Sequence, residues 1–453
     1  MKALLRSTIS LFLCSIASTS SALDLKEAME LAQQYDTTFQ AAYANYLATI
    51  EASSQSTSAI LPQIGFNAHI VRGERETELP TSTTTADANS KGYSLDLNQV
   101  IYDKTVFDNL DQGDAIVAKA IADLEVARQD TIVRVSSAYF DVLTAIDTLE
   151  TASAERKAIG KQLEQSKERF NVGLSAITDV KEQQASYDVS VADEIIATND
   201  LSNKREALRF IINTYPENLK IAREDMPLVI PEPMDIDAWQ EKSLQNNFSI
   251  VSAYYSLEAA KSAYDGSKGG HYPRLSLNAS YGVESNDPSS FFGQPTQARD
   301  DTDTRVILNL DIPIYSGGLT SSTVRQKLSE KDQAKALLEQ EKRRTIGLAR
   351  SAYLSLEADI ASVKARKQAV ISTQTSLDAT LAGYDAGTRT SVDVLLSQRL
   401  LFSSKRDYSV ARYTYLSNSL NLKQVAGILT YADVEAINKW LIPRPTSETQ
   451  ARQ

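Results

Sequence analysis

The chain has 453 residues, of which only 17 are Gly and 12 are Pro, about half the share of these helix-disfavouring residues in an average globular protein. The chain has only one Cys and two His, which nearly excludes a Cys/His metal site, a disulfide framework and a Cys–His nucleophile pair. The formal net charge of −11 gives nucleic acid no general basic surface and favours cations instead. We therefore expect long helices, no cofactor, no catalysis and no nucleic-acid partner.

Residues 1–22 have the features of a signal peptide. These features are a positive start at Lys2 and Arg6, a short apolar stretch from Ile9 to Ala17, and small residues at a cleavage site from Ser20 to Ala22. Lipid attachment at Cys14 is an alternative that the bulky preceding Leu13 disfavours. Beyond residue 22 no run of about 18 apolar residues occurs, so we expect any membrane passage to be made by strands.

An internal repeat organises the rest of the chain. The matching pairs include Pro62 with Pro273, Tyr139 with Tyr353, Gly173 with Gly387, and Asp179 with Asp393. We interpret them as a duplicated unit of roughly 210 residues. The predicted divisions are a signal peptide at 1–22, a first repeat at 23–214, a Pro-rich linker in an equatorial region at 215–235, a second repeat at 236–429, and a C-terminal segment with a polar tail at 430–453.

Each repeat contains a pair of strands and a set of helices. Period-two alternation predicts strands at 63–73, 93–101, 275–283 and 306–314, with polar loops at 75–90 and 286–303. A helix is predicted at 25–59, a very long one from Asp103 to Phe170, and a third at 176–213. The long helix would measure about 100 Å, and the two shorter ones could stack end to end beside it.

A coiled-coil seam runs along the long helix of each repeat. Apolar residues are spaced alternately by three and four positions at Ile132, Val135, Tyr139, Val142, Ile146 and Leu149, and again at Ile346, Ala349, Tyr353, Leu356, Ile360 and Val363. This spacing is typical of helices that pack along their whole length.

Four strands cannot close into a barrel by themselves. An open sheet edge in lipid leaves backbone groups unpaired at several kcal/mol each, so closure would need further copies of the chain. Three copies of four strands give 12 and four copies give 16, both even numbers as in most bacterial barrels. The alternative is a pair of soluble hairpins packed on helices. In the membrane interpretation the polar loops face the cell surface and the helices project into the periplasm.

The helical hairpins turn at residues 169–180 and 383–394. Gly173 and Gly387 suit the left-handed residue that follows a helix end. The candidates for capping the next helix are Thr178 or Asp179 in the first turn, and Ser391 or Asp393 in the second. Capping leaves Tyr384 and Arg389 unexplained. A phenol and a guanidinium beside Asp179 could join neighbouring helices by charge-assisted hydrogen bonds.

The duplicated order of elements and the two turn motifs, Phe-Asn-Val-Gly-Leu-x-Ala-Ile-Thr-Asp-Val and Gly-Thr-Arg-Thr-x-Val-Asp-Val-Leu, resemble the TolC family of Gram-negative outer-membrane exit ducts. The resemblance runs from Leu25 to Leu429. It implies an α+β membrane protein: a homotrimer with a 12-stranded transmembrane barrel and a long-helix periplasmic tunnel closed at its tip. The implied partners are a periplasmic adaptor, an inner-membrane efflux pump or ABC secretion transporter, and outer-membrane lipid.

The same resemblance implies roles for residues at the turns. The gating latch would comprise Thr178, Asp179, Tyr384 and Arg389, holding the inner helix pair against the outer one. The pore constriction would carry Asp393, whereas Leu396 stands where the family has a second acidic ring, which leaves strong divalent-cation block in doubt. The adaptor would dock at Val172, Gly173, Leu174, Ser175, Gly387 and Thr388.

Three hypotheses for function follow. The favoured one is a passive duct for multidrug efflux and type I protein secretion, gated by helix rearrangement at the tip. The alternative is a structural or adhesive coiled-coil protein of the cell surface, which accounts for the heptads but not for four strands repeated in register. An enzyme is disfavoured because the carboxylates are scattered and accompany no nucleophile, phosphate loop or metal-ligand cluster.

Overall fold

The structure is a computed structural model that describes residues 22–444 except 80, 81, 88, 224, 287–289, 292, 293 and 296. The predicted signal peptide up to residue 21 and the polar tail from residue 445 lie outside the described residues. In chain order the helices are α1 Leu25–Tyr35, α2 Thr37–Ser58, α3 Lys104–Asn171, α4 Ile177–Ile212, α5 Ile236–Asn246, α6 Phe248–Lys268, α7 Leu319–Asp385, α8 Ser391–Val425 and α9 Tyr431–Asn438. The strands are β1 Gln63–Val71, β2 Glu74–Leu79, β3 Ser82–Asp87, β4 Ser90–Tyr102, β5 Ile221–Ala222, β6 Arg274–Asn286, β7 Ser290–Phe291, β8 Gln294–Pro295, β9 Arg299–Asp311 and β10 Leu441–Ile442.

The two longest helices are α3 with 68 residues and α7 with 67. At 1.5 Å per residue each is about 100 Å long, as predicted for α3. Asp103 begins α3 by accepting a hydrogen bond from the backbone N–H of Thr105, and the helix ends within one residue of the predicted position. Each long helix forms a hairpin with the shorter helix that follows it, α4 after α3 and α8 after α7.

The single helix predicted at 25–59 is wrong, because the chain forms two helices separated at Asp36. Asp36 has an extended backbone, accepts a hydrogen bond from Thr38 N–H and pairs with Arg134 of α3. The second repeat breaks at Asn247, which caps α6 in the same way. Both breaks depend on a capping side chain and not on Gly or Pro, so low Gly and Pro content did not reveal them. Helices α2 and α4 both pack along α3, as expected for stacked short helices.

One antiparallel sheet has the strand order β1-β4-β6-β9, so the predicted four strands are confirmed. The registers place Phe66 opposite Leu95, and Leu277 opposite Leu308. Strands β1 and β9 form the edges, and all of their residues are exposed except Asp301 of β9, which is half-buried. On one face of β1 the side chains are Ile64, Phe66, Ala68 and Ile70, so this sheet presents a contiguous apolar surface outside any core of the chain.

The predicted loops contain strand structure. Residues 74–79 and 82–87 pair with each other as the separate strands β2 and β3, and β9 begins at Arg299, inside the predicted loop at 286–303. It also ends at Asp311, so Ile312 and Ile314 lie beyond the strand. Threonine is frequent in residues 74–87 and has a branched Cβ that favours extended backbone, although the segment is too polar to show an apolar alternation.

The main core lies around the middle of α3. Seam residues Ile132, Val135, Tyr139, Val142 and Ile146 are buried there against α1, α4 and α8, and the coiled-coil prediction is confirmed at these positions. The Tyr139 hydroxyl lies 2.8 Å from the Lys220 carbonyl oxygen and 3.0 Å from that of Leu23. The Pro-rich linker is therefore tied to this core, and its strand β5 pairs with β10 of the C-terminal segment.

Candidate functional site

The two helical turns lie at the far end of the molecule from the sheet. Helix α3 begins two residues after β4, and its turn into α4 at residues 172–176 comes after all 68 helical residues. The turn between α7 and α8 at residues 386–390 stands at the end of 67 residues. About 100 Å therefore separates each turn from the sheet. We call the region of the two turns the tip.

Both turns end a helix with a left-handed glycine. Gly173 has φ +76° and Gly387 has φ +75°, a conformation that an L side chain rarely adopts. The N–H of Leu174 donates to the Arg169 carbonyl at 2.8 Å, and the N–H of Thr388 donates to the Gly383 carbonyl at 2.8 Å. These bonds satisfy carbonyls at the helix ends, so the two glycines serve the turn geometry itself.

The two following helices begin differently. Thr390 caps α8: its hydroxyl lies 3.2 Å from the Asp393 N–H, and the Asp393 carboxylate accepts from the Thr390 N–H at 2.9 Å. Helix α4 begins after Ala176 with no side-chain cap, so the expectation that Thr178 or Asp179 caps it is wrong. Both residues lie inside the first turn of α4 instead. Their polar groups remain available at the tip surface.

Asp393 is the residue predicted at a pore constriction. Hydrogen bonds from the Thr390 backbone and hydroxyl lower the pKa of its carboxyl, and the nearby Arg389 charge acts in the same direction. The carboxylate is therefore negatively charged at neutral pH. Leu396 lies one helical turn further on and is 60 % exposed, on the same side of α8 as the exposed Val392 and Leu400.

The four predicted latch residues do not bond to one another within the chain. Over the described ranges, no hydrogen bond or ion pair joins Thr178 or Asp179 to Tyr384 or Arg389. Arg389 is exposed, and its side chain lies close to Gly383. A Cβ added to this glycine would stand only 2.8 Å from the Arg389 Cγ. Asp179 is half-buried and Arg389 is exposed, so two opposite charges lie near the two different turns.

Tyr384 has a partner that sequence reasoning missed. The guanidinium carbon of Arg169, in the last turn of α3, lies 4.7 Å from the centre of the Tyr384 ring. The ring also packs against a small cluster between α7 and α8 formed by Leu377, Val394 and Leu401. A cation in the last turn of a helix is common, so no sequence signal marked Arg169.

The predicted docking residues form the outermost surface of the tip. Val172 and Leu174 are 70 % and 75 % exposed, large values for apolar side chains. Gly173, Gly387 and Thr388 are exposed beside them. Ser175 is half-buried. The first turn thus presents two unpacked apolar side chains next to backbone that carries little side-chain bulk.

Polar side chains replace apolar ones in the interior just above the tip. Gln183 of α4 is fully buried, and neither its amide nitrogen nor its amide oxygen has a hydrogen-bond partner in the described part of the chain. Gln398 of α8 is also buried with an unpartnered amide oxygen. At the surface beside them, the exposed Arg399 donates to the hydroxyl of the buried Ser186 at 3.3 Å, which joins α8 to α4. We call these residues, Gln183, Ser186, Gln398 and Arg399, the polar layer.

Among the described residues, no group of three or more His, Cys, Asp or Glu side chains is arranged to hold a metal ion. None of the helices in the described ranges is both long enough and apolar enough to cross a bilayer.

Comparison with known proteins identifies the family. Residues 28–214 and 239–428 each match the family described as "Outer membrane efflux protein", which also confirms the duplication. The chain is 34 % identical to "Outer membrane protein TolC" of Escherichia coli over 97 % of this chain and 90 % of that protein. It is 27 % identical to "Alkaline protease secretion protein AprF" of Pseudomonas aeruginosa, over 98 % of this chain and 92 % of that protein.

A solved structure agrees on the fold. The Campylobacter jejuni CmeC outer membrane channel superposes with a TM-score of 0.76 at 16 % identity, covering 92 % of this chain and 90 % of that one. The alternative of an adhesive coiled-coil protein gains no support from these similarities. With both repeats matched over most of their length, the chain belongs to the outer membrane efflux protein family.

Proposed function

We propose that three copies of this chain form a gated exit duct in the outer membrane, with the helices in the periplasm, for multidrug efflux and type I protein secretion. The observation that carries the proposal is the separation of two surfaces. An open-edged sheet with an apolar face lies at one end of helices about 100 Å long, and a tip made of two exposed helical turns lies at the other. Similarity to TolC and to AprF, whose name refers to protease secretion, supports both kinds of cargo.

The sheet supports assembly from several copies. The outer edges of strands β1 and β9 have no partner strand in the described chain, and Phe66 and Ile70 on β1 are exposed. In lipid these edges need hydrogen-bond partners, which β9 and β1 of neighbouring copies would supply. Three copies give a closed barrel of 12 strands, and the family resemblance favours three copies over four.

The tip supports gating between copies. Asp179 and Arg389 have no ion-pair partner within the described residues, and they belong to different turns. In a ring of three copies, Asp179 of one subunit meets Arg389 of the next, while the Tyr384 hydroxyl bonds to Thr178 or Asp179. These bonds hold the resting tip closed, and Asp393 makes the constriction favour cations.

Opening requires a partner that binds the open tip more tightly than the closed one. The tip offers a surface that fits the end of a periplasmic adaptor. It has exposed apolar side chains at Val172 and Leu174, beside backbone with little side-chain bulk at Gly173, Gly387 and Thr388. An inner-membrane efflux pump or ABC transporter supplies the energy. The duct itself performs no catalysis in this proposal.

Recording single channels from purified protein in planar bilayers tests the gate. Tyr384→Phe combined with Arg389→Ser should enlarge the conductance steps, because both inter-helix bonds are lost. A matched control, Tyr254→Phe with Arg343→Ser, makes the same chemical changes on exposed helix faces away from the tip. A double tip variant that conducts like the control would refute the latch assignment.

A further inference from the structure

We propose that Arg169 helps to hold the gate closed by contacting the ring face of Tyr384 in the same subunit. We call this contact between Arg169 and Tyr384 the fastening. This inference rests on the proposed function and deepens its gating step. It adds a contact between the two helical hairpins of one chain to the predicted bonds between subunits. Tyr384 would then be held in two independent ways, through its ring face and through its hydroxyl.

The geometry is that of a cation–π interaction. The Arg169 guanidinium carbon lies 4.7 Å from the ring centre, inside the limit of about 6 Å for this attraction. Both side chains are half-buried, which limits screening by solvent. Tyr384 also packs against the cluster in its own hairpin that contains Leu377 and Val394, which restrains its side chain.

The contact bridges the two sequence repeats. Arg169 belongs to α3 of the first hairpin and Tyr384 to α7 of the second, whereas the main packing between the hairpins is made by α3 and α4 against α8. A movement of the α7–α8 hairpin away from α3 would therefore separate the ring from the cation. The contact therefore reports whether the tips of the two hairpins lie together.

Arg169 has no competing partner among the described residues. Two other arginines of the hairpins are ion-paired, Arg156 with Glu194 at 2.5 Å and Arg406 with Glu155 at 3.1 Å. No carboxylate pairs with Arg169 in the described part of the chain. Arg169 lies in the last turn of α3, where the helix dipole attracts a cation.

The ring face and the hydroxyl can be removed separately. Tyr384→Phe keeps the face for Arg169 and loses only the hydroxyl. Arg169→Gln loses the cation and keeps the hydroxyl, while Tyr384→Leu removes both. Lys167→Gln is the matched control, because Lys167 is exposed two residues from Arg169 and changes the net charge equally.

Single-channel recording gives the first test. For Arg169→Gln we expect the opening equilibrium to rise about two- to five-fold per subunit, with Lys167→Gln unchanged. Arg169→Gln should add to the effect of Tyr384→Phe but have no effect in a Tyr384→Leu background. An unchanged opening equilibrium in Arg169→Gln, or an equal rise in the Tyr384→Leu background, would overturn the proposal.

A distance measurement tests the contact without a pore. The one natural cysteine, Cys14, lies in the predicted signal peptide, so Val172→Cys and Thr388→Cys can carry spin labels on the two turns of one subunit. Labelled subunits diluted among unlabelled ones should give a broader, longer distance distribution with Arg169→Gln. An unchanged distribution would overturn the fastening. If the wild type forms no channel but Arg169→Gln broadens the distance distribution, the duct proposal fails and the fastening stands.

Discussion

Thr390 and Asp393 cap helix α8 reciprocally: each backbone N–H of the pair donates to the other residue's side chain. The arrangement fixes the Asp393 carboxylate at the first turn of the helix that is proposed to line the constriction. It also lowers the pKa of that carboxyl. One pair of residues therefore connects the local structure of the tip to the charge of the proposed pore.

The first prediction concerns selectivity and pH. Because the pKa of Asp393 is lowered in the folded tip, the carboxylate should stay charged as the pH falls to the ordinary carboxyl range, and cation preference should persist there. The stabilisation from the cap is fully present above the ordinary pKa and is lost as the pH falls through the lowered one. Thr390→Ala removes the hydroxyl bond and should shift the loss of cation preference to higher pH.

Reversal potentials measured across a salt gradient at several pH values check this prediction. Asp393→Asn sets the reference, with weakened cation preference at every pH. Ser391→Ala, in the next position, is a control that leaves both hydrogen bonds in place. If Thr390→Ala and the wild type lose selectivity at the same pH, the cap does not control this charge.

The second prediction concerns the polar layer. A buried amide without a partner costs about 1–3 kcal/mol, so Gln183→Leu should raise the free energy of unfolding by an amount in that range. It should also lower the frequency of pore opening, because the buried side of α4 becomes more apolar there. Denaturant unfolding of the purified oligomer gives the first quantity. Gln184→Leu at the less buried neighbouring position is the control, and a destabilised Gln183→Leu protein would contradict the account.

The third prediction concerns the break between α1 and α2. Asp36 is buried, caps α2 and pairs with Arg134. Asp36→Ala removes the cap and leaves the Arg134 guanidinium without its carboxylate. We therefore expect the free energy of unfolding to fall by more than the roughly 1 kcal/mol of an ordinary cap. Asp36→Asn keeps an oxygen for Thr38 N–H and separates the two effects. Equal unfolding midpoints for wild type and Asp36→Ala would show that the break is not fixed here.

The fourth prediction concerns the face of the sheet. Phe66 is exposed on the apolar face of β1, while His69 lies on the opposite face. If the apolar face contacts lipid, Phe66→Lys should lower the free energy of unfolding by up to about 2–4 kcal/mol, depending on the depth of the residue in the bilayer. It should also reduce the fraction of protein that folds into vesicles. His69→Lys introduces the same charge on the other face and should fold nearly normally. If the same fraction of both variants folds into vesicles, the apolar face of β1 does not contact lipid.

The sequence predicted the fold well where patterns are long. The heptads around Tyr139 and the alternation in β4 and β6 extend over many residues, so chance agreement is small and the structure confirms them. The break at Asp36 was missed because a single capping side chain determines it. The hairpin β2–β3 was missed because its strands are polar, which hides the alternation.

The tip shows the same difference between local and tertiary information. Gly173 and Gly387 were predicted correctly because the residue after a helix end has its own backbone requirement. The contact between Arg169 and Tyr384 joins positions far apart in sequence, and nothing in either local segment specifies it. The buried Gln183 was missed for the same reason, since only the packing of α4 against its neighbours shows that it is covered.

Single-channel recording of the purified protein without residues 1–22, in a planar bilayer, tests the central claim most directly. The account predicts small, discrete, cation-preferring conductance steps from the oligomer, since the sheet closes in lipid and the acidic tip is nearly shut. A folded oligomer that inserts into the bilayer and shows no conductance, in the wild type or in the Tyr384→Phe, Arg389→Ser variant, would contradict it.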